Sequence, residues 1–243
     1  MLLPIVILFG NNLQSQVIIS SLKLHSSADW LSYSFPLVHT KEKVVADRIN
    51  KHLQSTILNN DSISADTNVV FSNSKYIRYI NEDSTGQSGY TSIAYTAELN
   101  NSKILSLSFN IETMGAYPEN HQEYFNFFSA TGNIITTKDL FTPEGMDEIK
   151  KLLLKEREKR IAEWTNEIDA EKDDSVWIRE IFADCNKDAE LKDFIIKKGQ
   201  LVFSKEYCFP HFARPFDTDL DVSFSYTELA KFLSRKGKRL LQL

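Results

Sequence analysis

Some stretches of the chain repeat apolar residues with the period of a β-strand, and separate stretches repeat them with the period of an α-helix. This separation of the two periods constrains the fold more than any other feature of the sequence. Residues 30–38 alternate apolar and other side chains, which is the period of a strand with one buried face. Residues 41–58 then carry an apolar side chain at every fourth position, which is typical of an amphipathic helix. The apolar stripe of that helix is Val45, Ile49, Leu53 and Ile57. Thr40 is expected to cap it.

Strand signals recur along most of the remaining chain. The other predicted strands are 17–24, 69–80, 90–99, 103–113, 123–130, 133–136, 194–197, 201–207 and 219–224. Turn signals such as Asn100-Asn101 and Thr131-Gly132 join neighbouring strands. Strands joined by such short links pair antiparallel, so we expect antiparallel sheets.

Helices are predicted at a few separate places. Thr142-Pro143 starts a long helix that extends to about residue 168, because Pro is favoured at the first helical position. A second helix is predicted at 175–183, and Ser225 with Glu228 forms a capping box for a short C-terminal helix. Because helices and strands do not alternate strictly, the pattern predicts an α+β fold, with antiparallel sheets and helices packed on one face. A soft boundary is expected between residues 100 and 115.

The N-terminus predicts export. Residues 1–10 are apolar except for the final glycine, and the run is far too short to span a bilayer. A polar stretch with Ser15 follows, so residues 1–15 have the form of a signal peptide that lacks its basic start. A start upstream of Met1, with or without a membrane anchor, would supply the missing basic residues. The alternative is a buried first strand. Export would place the mature chain in the periplasm or outside the cell.

The charge of the chain limits its partners. With 28 basic and 33 acidic side chains the net charge is −5, which argues against nucleic acid as a partner. Residues 163–193 hold eleven acidic side chains against four basic ones. That segment is either a solvated helix face or a landing surface for a cationic partner.

No catalytic motif is visible in the sequence. It has no Gly-x-Ser-x-Gly elbow, no phosphate-binding glycine loop and no complete set of zinc ligands around Cys208 and His211. We therefore expect no enzyme activity, cofactor or metal. Cys185 and Cys208 are the only cysteines, and in an exported protein they could form a disulfide, which the spacing alone does not decide.

Short aromatic and glycine-containing motifs lie in two parts of the chain, 115–141 and 194–233. Their residues are Gly115, Ala116, Tyr117, Pro118, Tyr124, Asn126, Thr131, Gly132, Leu140, Phe141, Gly199, Leu201, Phe203, Tyr207, Pro210, Tyr226 and Leu229. On these residues the chain resembles the RsiV-like family of exported bacterial domains. That family is known as the extracellular part of lysozyme-sensing anti-sigma factors and is also found beside cell-wall deacetylases.

The resemblance implies an α+β protein of two interlocked halves, 16–110 and 111–243. It also implies a non-enzymatic binding domain that recognises lysozyme, another cationic cell-wall-associated protein or a cell-wall glycan. The alternative is an accessory module or enzyme of peptidoglycan modification. The chain departs from the family because it has no transmembrane segment and because the residues after Pro210 are bulky where the family has a small turn. Tyr117, Glu119, His121 and His211 are the candidate ligand-binding residues, since they stand beside predicted loops.

Overall fold

The computed structural model describes residues 17–25, 30–77, 89–115, 118–168, 180–181, 183–184, 191–205 and 219–243. Its strands are β1 (Ile18–His25), β2 (Ser32–His39), β3 (Gly89–Asn100), β4 (Ile104–Met114), β5 (Pro118–Phe128), β6 (Phe194–Lys197), β7 (Gln200–Phe203) and β8 (Val222–Ser225). Its helices are α1 (Lys43–Ile57), α2 (Thr67–Ser72), α3 (Thr137–Leu140), α4 (Pro143–Ile168), α5 (Tyr226–Leu229) and α6 (Arg235–Leu241). This arrangement confirms the predicted α+β class.

The strands form two sheets. The first is an open sheet in the order β1-β2-β3-β4-β5, and the second has the order β6-β7-β8. All neighbouring strands are antiparallel except β2 and β3, which run parallel over the two pairs Ser32–Ser92 and Tyr33–Ile93. The parallel pair differs from the all-antiparallel expectation because α1 and α2 connect these strands as a crossover.

The first core lies between the five-stranded sheet and helices α1 and α2. All four residues of the predicted α1 stripe are buried. Aromatic rings dominate the sheet side: Phe109 lies 5.7 Å from Phe35 and 5.6 Å from Phe125, between ring centroids. Each fully buried side chain of this size stabilises the fold by about 1.5–3 kcal/mol. This core holds the long β4–β5 hairpin in place.

The second core lies around Phe203 of β7. Its ring contacts Phe141, Phe194 and Phe224 at centroid distances of 6.0 to 6.4 Å. Apolar residues of α4 and of the C-terminal helices complete this core. The division into halves at residues 110 and 111 stays a prediction.

Local hydrogen bonds explain where several helices begin. Thr136 and Asp139 form a capping box at α3, and Ser225 and Glu228 form the predicted one at α5. Thr142 Oγ1 accepts from Gly145 N at 3.0 Å at the start of α4, where Pro143 takes the first helical position as predicted.

The turn after β5 depends on glycine. Gly132 has a φ of 70°, and a Cβ atom there would lie 2.8 Å from the carbonyl oxygen of Val45 in α1. Only glycine combines this left-handed backbone with such a close approach. The expected hairpin of 123–130 with 133–136 is reduced to one bridge between Phe127 and Ile134, because the chain turns into helix α3 with Thr136 as its N-cap.

Three sequence-based assignments are wrong. Residues 67–72 are helical rather than part of a strand, because Asp66 Oδ1 accepts from Asn68 N and Val69 N and so caps α2. Thr40 does not cap α1. The N-cap is Glu42, and Thr40 Oγ1 donates to the Glu42 carbonyl oxygen instead. Strand β5 begins at Pro118, five residues earlier than expected.

Candidate functional site

An open cleft lies at the turn end of the β4–β5 hairpin. Its volume is about 350 Å³. The described residues that line it are Trp30, Thr91, Glu112, Thr113, Met114, Pro118, Glu119 and Asn120. They comprise three apolar side chains, two carboxylates and three neutral polar side chains. This is the composition of a small binding site, in which apolar walls hold a few polar groups.

The hairpin register positions the carboxylates. The last three pairs of β4 and β5 are Glu112–Asn120, Thr113–Glu119 and Met114–Pro118. Paired residues share a face of the sheet and successive pairs alternate between faces, so Glu112 and Glu119 belong to opposite faces. Glu112, Met114, Pro118 and Asn120 therefore share one face of the hairpin at the cleft, and Glu119 belongs to the other.

Two neighbouring segments complete the cleft. Trp30 precedes β2 by two positions, and β2 begins where it pairs with β3. Thr91 is the extra residue of a β-bulge, because Tyr90 pairs with Thr113 and Ser92 with Glu112. Thr91 is buried. Bulges re-aim a side chain next to a site, and here the bulge brings Thr91 to the cleft.

The cleft leaves large apolar side chains in contact with water. Trp30 is 56% exposed and Met114 is 39% exposed, whereas Thr91 beside them is buried. Exposed large apolar side chains grouped with polar neighbours are typical of interaction sites. Among the described lining residues there is no Lys, Arg or His, so the lining is acidic.

His121 lies on the same face of β5 as Glu119, two residues further into the sheet, and does not line the cleft. Its ring is 6.1 Å from the ring of Tyr90, which in turn is 5.0 Å from Tyr76. Burial, followed by the negative charges of ionised Tyr76 and of Glu123, raises the pKa of Tyr90 to about 12. Tyr90 therefore stays neutral, and its ring joins His121 to Tyr76 in one row.

A second polar cluster lies at the other end of β5 and holds the two segments that flank residues 206–218. Arg157 of α4 is fully buried, with Nε donating to the Leu220 carbonyl at 3.1 Å and Nη2 to the Ser204 carbonyl at 2.9 Å. Burial lowers the pKa of Arg157 to about 10, which the charge of Asp221 opposes. Ser204 Oγ donates to Asp221 Oδ1 at 2.6 Å. All of these bonds join protein groups to one another, so we interpret the cluster as one that fastens α4 to the segments around Ser204 and Leu220.

The structure brings two of the four predicted site residues into one region. Glu119 lines the cleft, and His121 lies two residues away on the same face of β5, outside the lining. Tyr117, His211 and both cysteines lie outside the described residues, as do residues 1–15 and most of the acidic segment 163–193.

The sequence analysis missed Trp30, Glu112 and Met114 as site residues. One signal was available for Trp30. The alternation that buries Leu31 and Tyr33 directs the residue before Leu31 away from the core, and an outward tryptophan is unusual. For Glu112 and Met114, only the register with β5 reveals their position.

Two absences complete the description. Across the described ranges, no group of three or more His, Cys, Asp or Glu side chains is arranged to hold a metal ion. No helix within those ranges has the length and apolar composition to cross a membrane.

Comparison with known proteins identifies the fold. No protein-family model matches the sequence, and no curated protein matches it. The structure is similar to the crystal structure of a DUF3298 family member from Bacteroides fragilis NCTC 9343, with a TM-score of 0.58 and 12% identity over 93% of this chain and 95% of that chain. The chain shares its fold with that DUF3298 protein. A DUF3298 family protein from Pseudomonas aeruginosa PAO1 matches with a TM-score of 0.48 and 8% identity, over 91% of this chain and 94% of that one.

Proposed function

We propose that this chain is an exported, non-enzymatic binding domain that recognises a cationic cell-wall-associated protein of the lysozyme type. The observation that carries the proposal is the cleft, which exposed Trp30 and Met114 line together with the acidic residues Glu112 and Glu119. Tryptophan in an exposed cluster is the side chain most often found at the energetic centre of a protein interface.

The charges of the cleft favour a basic partner. Its described lining carries two acidic and no basic side chains, and the whole chain has a net charge of −5. A negative surface attracts a positively charged protein over distances of about 10 Å at 0.1 M salt. Electrostatic complementarity of this kind raises the association rate and excludes acidic partners.

The strand pairing at the cleft also supports binding. Three paired rungs of the β4–β5 hairpin and the buried bulge residue Thr91 line it. A site whose backbone is already ordered by strand pairing loses less conformational entropy when a partner binds. The resemblance to the RsiV-like family, which includes lysozyme-sensing members, supports the same partner class independently of the cleft.

Isothermal titration calorimetry with the chain starting at Gln16 and hen lysozyme tests the proposal. We expect micromolar or tighter binding at low salt that weakens about tenfold or more at moderate salt. Cytochrome c, a basic protein unrelated to the cell wall, is the control and should bind at least tenfold more weakly. Absence of binding to lysozyme at both salt concentrations would reject the proposed partner.

A second function is favoured by the pair Glu112 and Glu119. Two carboxylates in one cleft are the groups that glycoside hydrolases use, so an enzyme of peptidoglycan modification is the alternative. Incubation with purified peptidoglycan and measurement of released reducing ends separates the two. Release that disappears in Glu112→Gln and in Glu119→Gln would establish the enzyme. No release in the wild type would leave the binding domain.

A further inference from the structure

We propose that the cleft binds an arginine side chain of the partner. This inference rests on the proposed function, since it names the group of a cationic protein that the cleft would receive. It follows from the shape of the cleft and from the kinds of acceptor that line it.

The first argument is the size of the cleft. At about 350 Å³ it lies at the lower limit of ligand pockets, which range from about 300 to 1,000 Å³. Such a space suits one long side chain. Because the cleft is open, the remainder of the partner can rest on the surrounding surface.

The second argument is the set of hydrogen-bond acceptors. Glu112 supplies a carboxylate, and Asn120, its paired neighbour on the same face of the hairpin, supplies an amide oxygen beside it. Glu119 adds a second negative charge on the opposite face. A guanidinium group carries five N–H donors in a planar fork, so it can bond to neighbouring acceptors at the same time. An ammonium group has three donors around a single nitrogen and matches a carboxylate and an amide oxygen side by side less well.

The third argument is the apolar wall. The indole of Trp30 is 56% exposed, and Met114 is also exposed next to it in the lining. Guanidinium groups stack on tryptophan with an attraction of about 0.5–2 kcal/mol, and arginine makes this contact more often than lysine. The methylene groups of arginine would cover Met114, as long basic side chains do on apolar surfaces.

Nuclear magnetic resonance with short peptides tests the inference directly. The three probes are acetyl-Gly-Arg-Gly-amide, the same peptide with lysine, and the same peptide with citrulline, which keeps the shape of arginine without its charge. The indole N–H signal of Trp30 is the reporter. The chain has three tryptophans, and Trp30→Phe identifies the signal by removing it.

We expect the arginine peptide to shift the Trp30 signal and to bind at least about fivefold more tightly than the lysine peptide and tenfold more tightly than the citrulline peptide. The double variant Glu112→Gln, Glu119→Gln should bind the arginine peptide at least about tenfold more weakly. The double variant Glu144→Gln, Glu158→Gln on α4 removes the same charge from exposed positions outside the cleft and should bind normally. Equal binding of the lysine and arginine peptides, or a Trp30 signal that none of the peptides shifts, would overturn the inference.

The test separates this inference from the proposed function. If lysozyme binds and the arginine peptide does not, the partner class stands and the role of the cleft is rejected. If the arginine peptide binds and lysozyme does not, the role of the cleft stands and lysozyme is not the partner.

Discussion

The side-chain amide of Asn126 on β5 pairs with the backbone of β6 as another strand would, with Nδ2 donating to the Phe194 carbonyl oxygen at 2.8 Å. Its Oδ1 accepts from Ile196 N at 3.0 Å and from Ser106 Oγ at 2.6 Å. One buried amide therefore joins the two sheets. Asn50 of α1 makes the same kind of pairing with strand β2 in the first core. Its side-chain amide bonds to both the N–H and the carbonyl of Val38 at 2.9 Å.

We expect Asn126→Ala to lower the free energy of unfolding by about 2–4 kcal/mol, because it leaves a buried N–H and a buried carbonyl without partners. Urea denaturation measures this change. Asn110→Ala, on the same sheet face but only half-buried, is the matched control and should cost about 1 kcal/mol or less. Equal losses in the two variants would show that Asn126 does not join the sheets.

Arg157→Met should increase local opening of the segments on either side of residues 206–218, with only a small loss in the free energy of global unfolding. The substitution removes the free-energy cost of burying the charged guanidinium group. It also leaves the carbonyls of Ser204 and Leu220 without their hydrogen-bond donors. These effects oppose each other, so we expect a loss of about 1–2 kcal/mol in global stability. Hydrogen exchange should accelerate at the amides of Lys205 and Asp221 and remain unchanged in α1. Unchanged exchange at both amides would contradict the proposed anchoring role.

Stability should fall in alkaline solution. Burial raises the pKa of Tyr90, Tyr124 and Tyr226 to about 12 from 10.0. Between these values the unfolded chain releases protons that the folded chain keeps, so stability declines as pH rises from about 10 to 12. Each tyrosine contributes a slope of at most about 1.4 kcal/mol per pH unit. Tyr90→Phe should reduce the slope measured by urea denaturation at successive pH values, and an unchanged slope would argue against a neutral, buried Tyr90.

Asp139 and Lys236 should stabilise the contact between α3 and α6. Lys236 Nζ lies 2.6 Å from Asp139 Oδ1 and 4.7 Å from the centroid of the Phe128 ring. Burial acts to raise the pKa of Asp139, but bonds from Lys236 and Thr136 outweigh it and hold that pKa below 3.8. The stabilisation is therefore present above pH 3.8 and is lost as the pH falls through the lower pKa of the folded state.

A double-mutant cycle with Asp139→Asn and Lys236→Met should give a coupling energy of about 0.5–1 kcal/mol at neutral pH. The coupling should vanish in strong acid. Lys43 and Asp47, an exposed pair on α1, provide the comparison and should couple by less than about 0.5 kcal/mol. A coupling that persists in strong acid would exclude an ionic origin.

The main periodic elements could be predicted from the sequence because their patterns arise from burial. The α1 stripe and the alternation of β2 both identify residues that are buried in the structure. Over residues 69–77 the strand expected at 69–80 was wrong, because valine and phenylalanine favour strands, yet the side chain of Asp66 supplies a helix cap that outweighs this preference. Reading Asp66 as a cap would have corrected the assignment.

The cleft could be predicted only in part. Glu119 was found because it follows a glycine-containing turn. Trp30 and Thr91 lie outside the β4–β5 hairpin in sequence. Trp30 reaches it because β2 pairs parallel with β3, and Thr91 reaches it as the extra residue of the bulge in β3. A bulge changes which side chain faces the cleft, and no local pattern specifies its position.

The central claim is that a cationic cell-wall-associated protein binds at the cleft. Calorimetry of lysozyme binding to three proteins tests it most directly. They are the wild type, the cleft double variant Glu112→Gln/Glu119→Gln and the α4 double variant Glu144→Gln/Glu158→Gln. All three proteins are compared at one salt concentration, and the two variants have the same net charge. We predict at least about tenfold weaker binding for the cleft variant and binding within about twofold of the wild type for the α4 variant. Equal binding by both variants would contradict the claim.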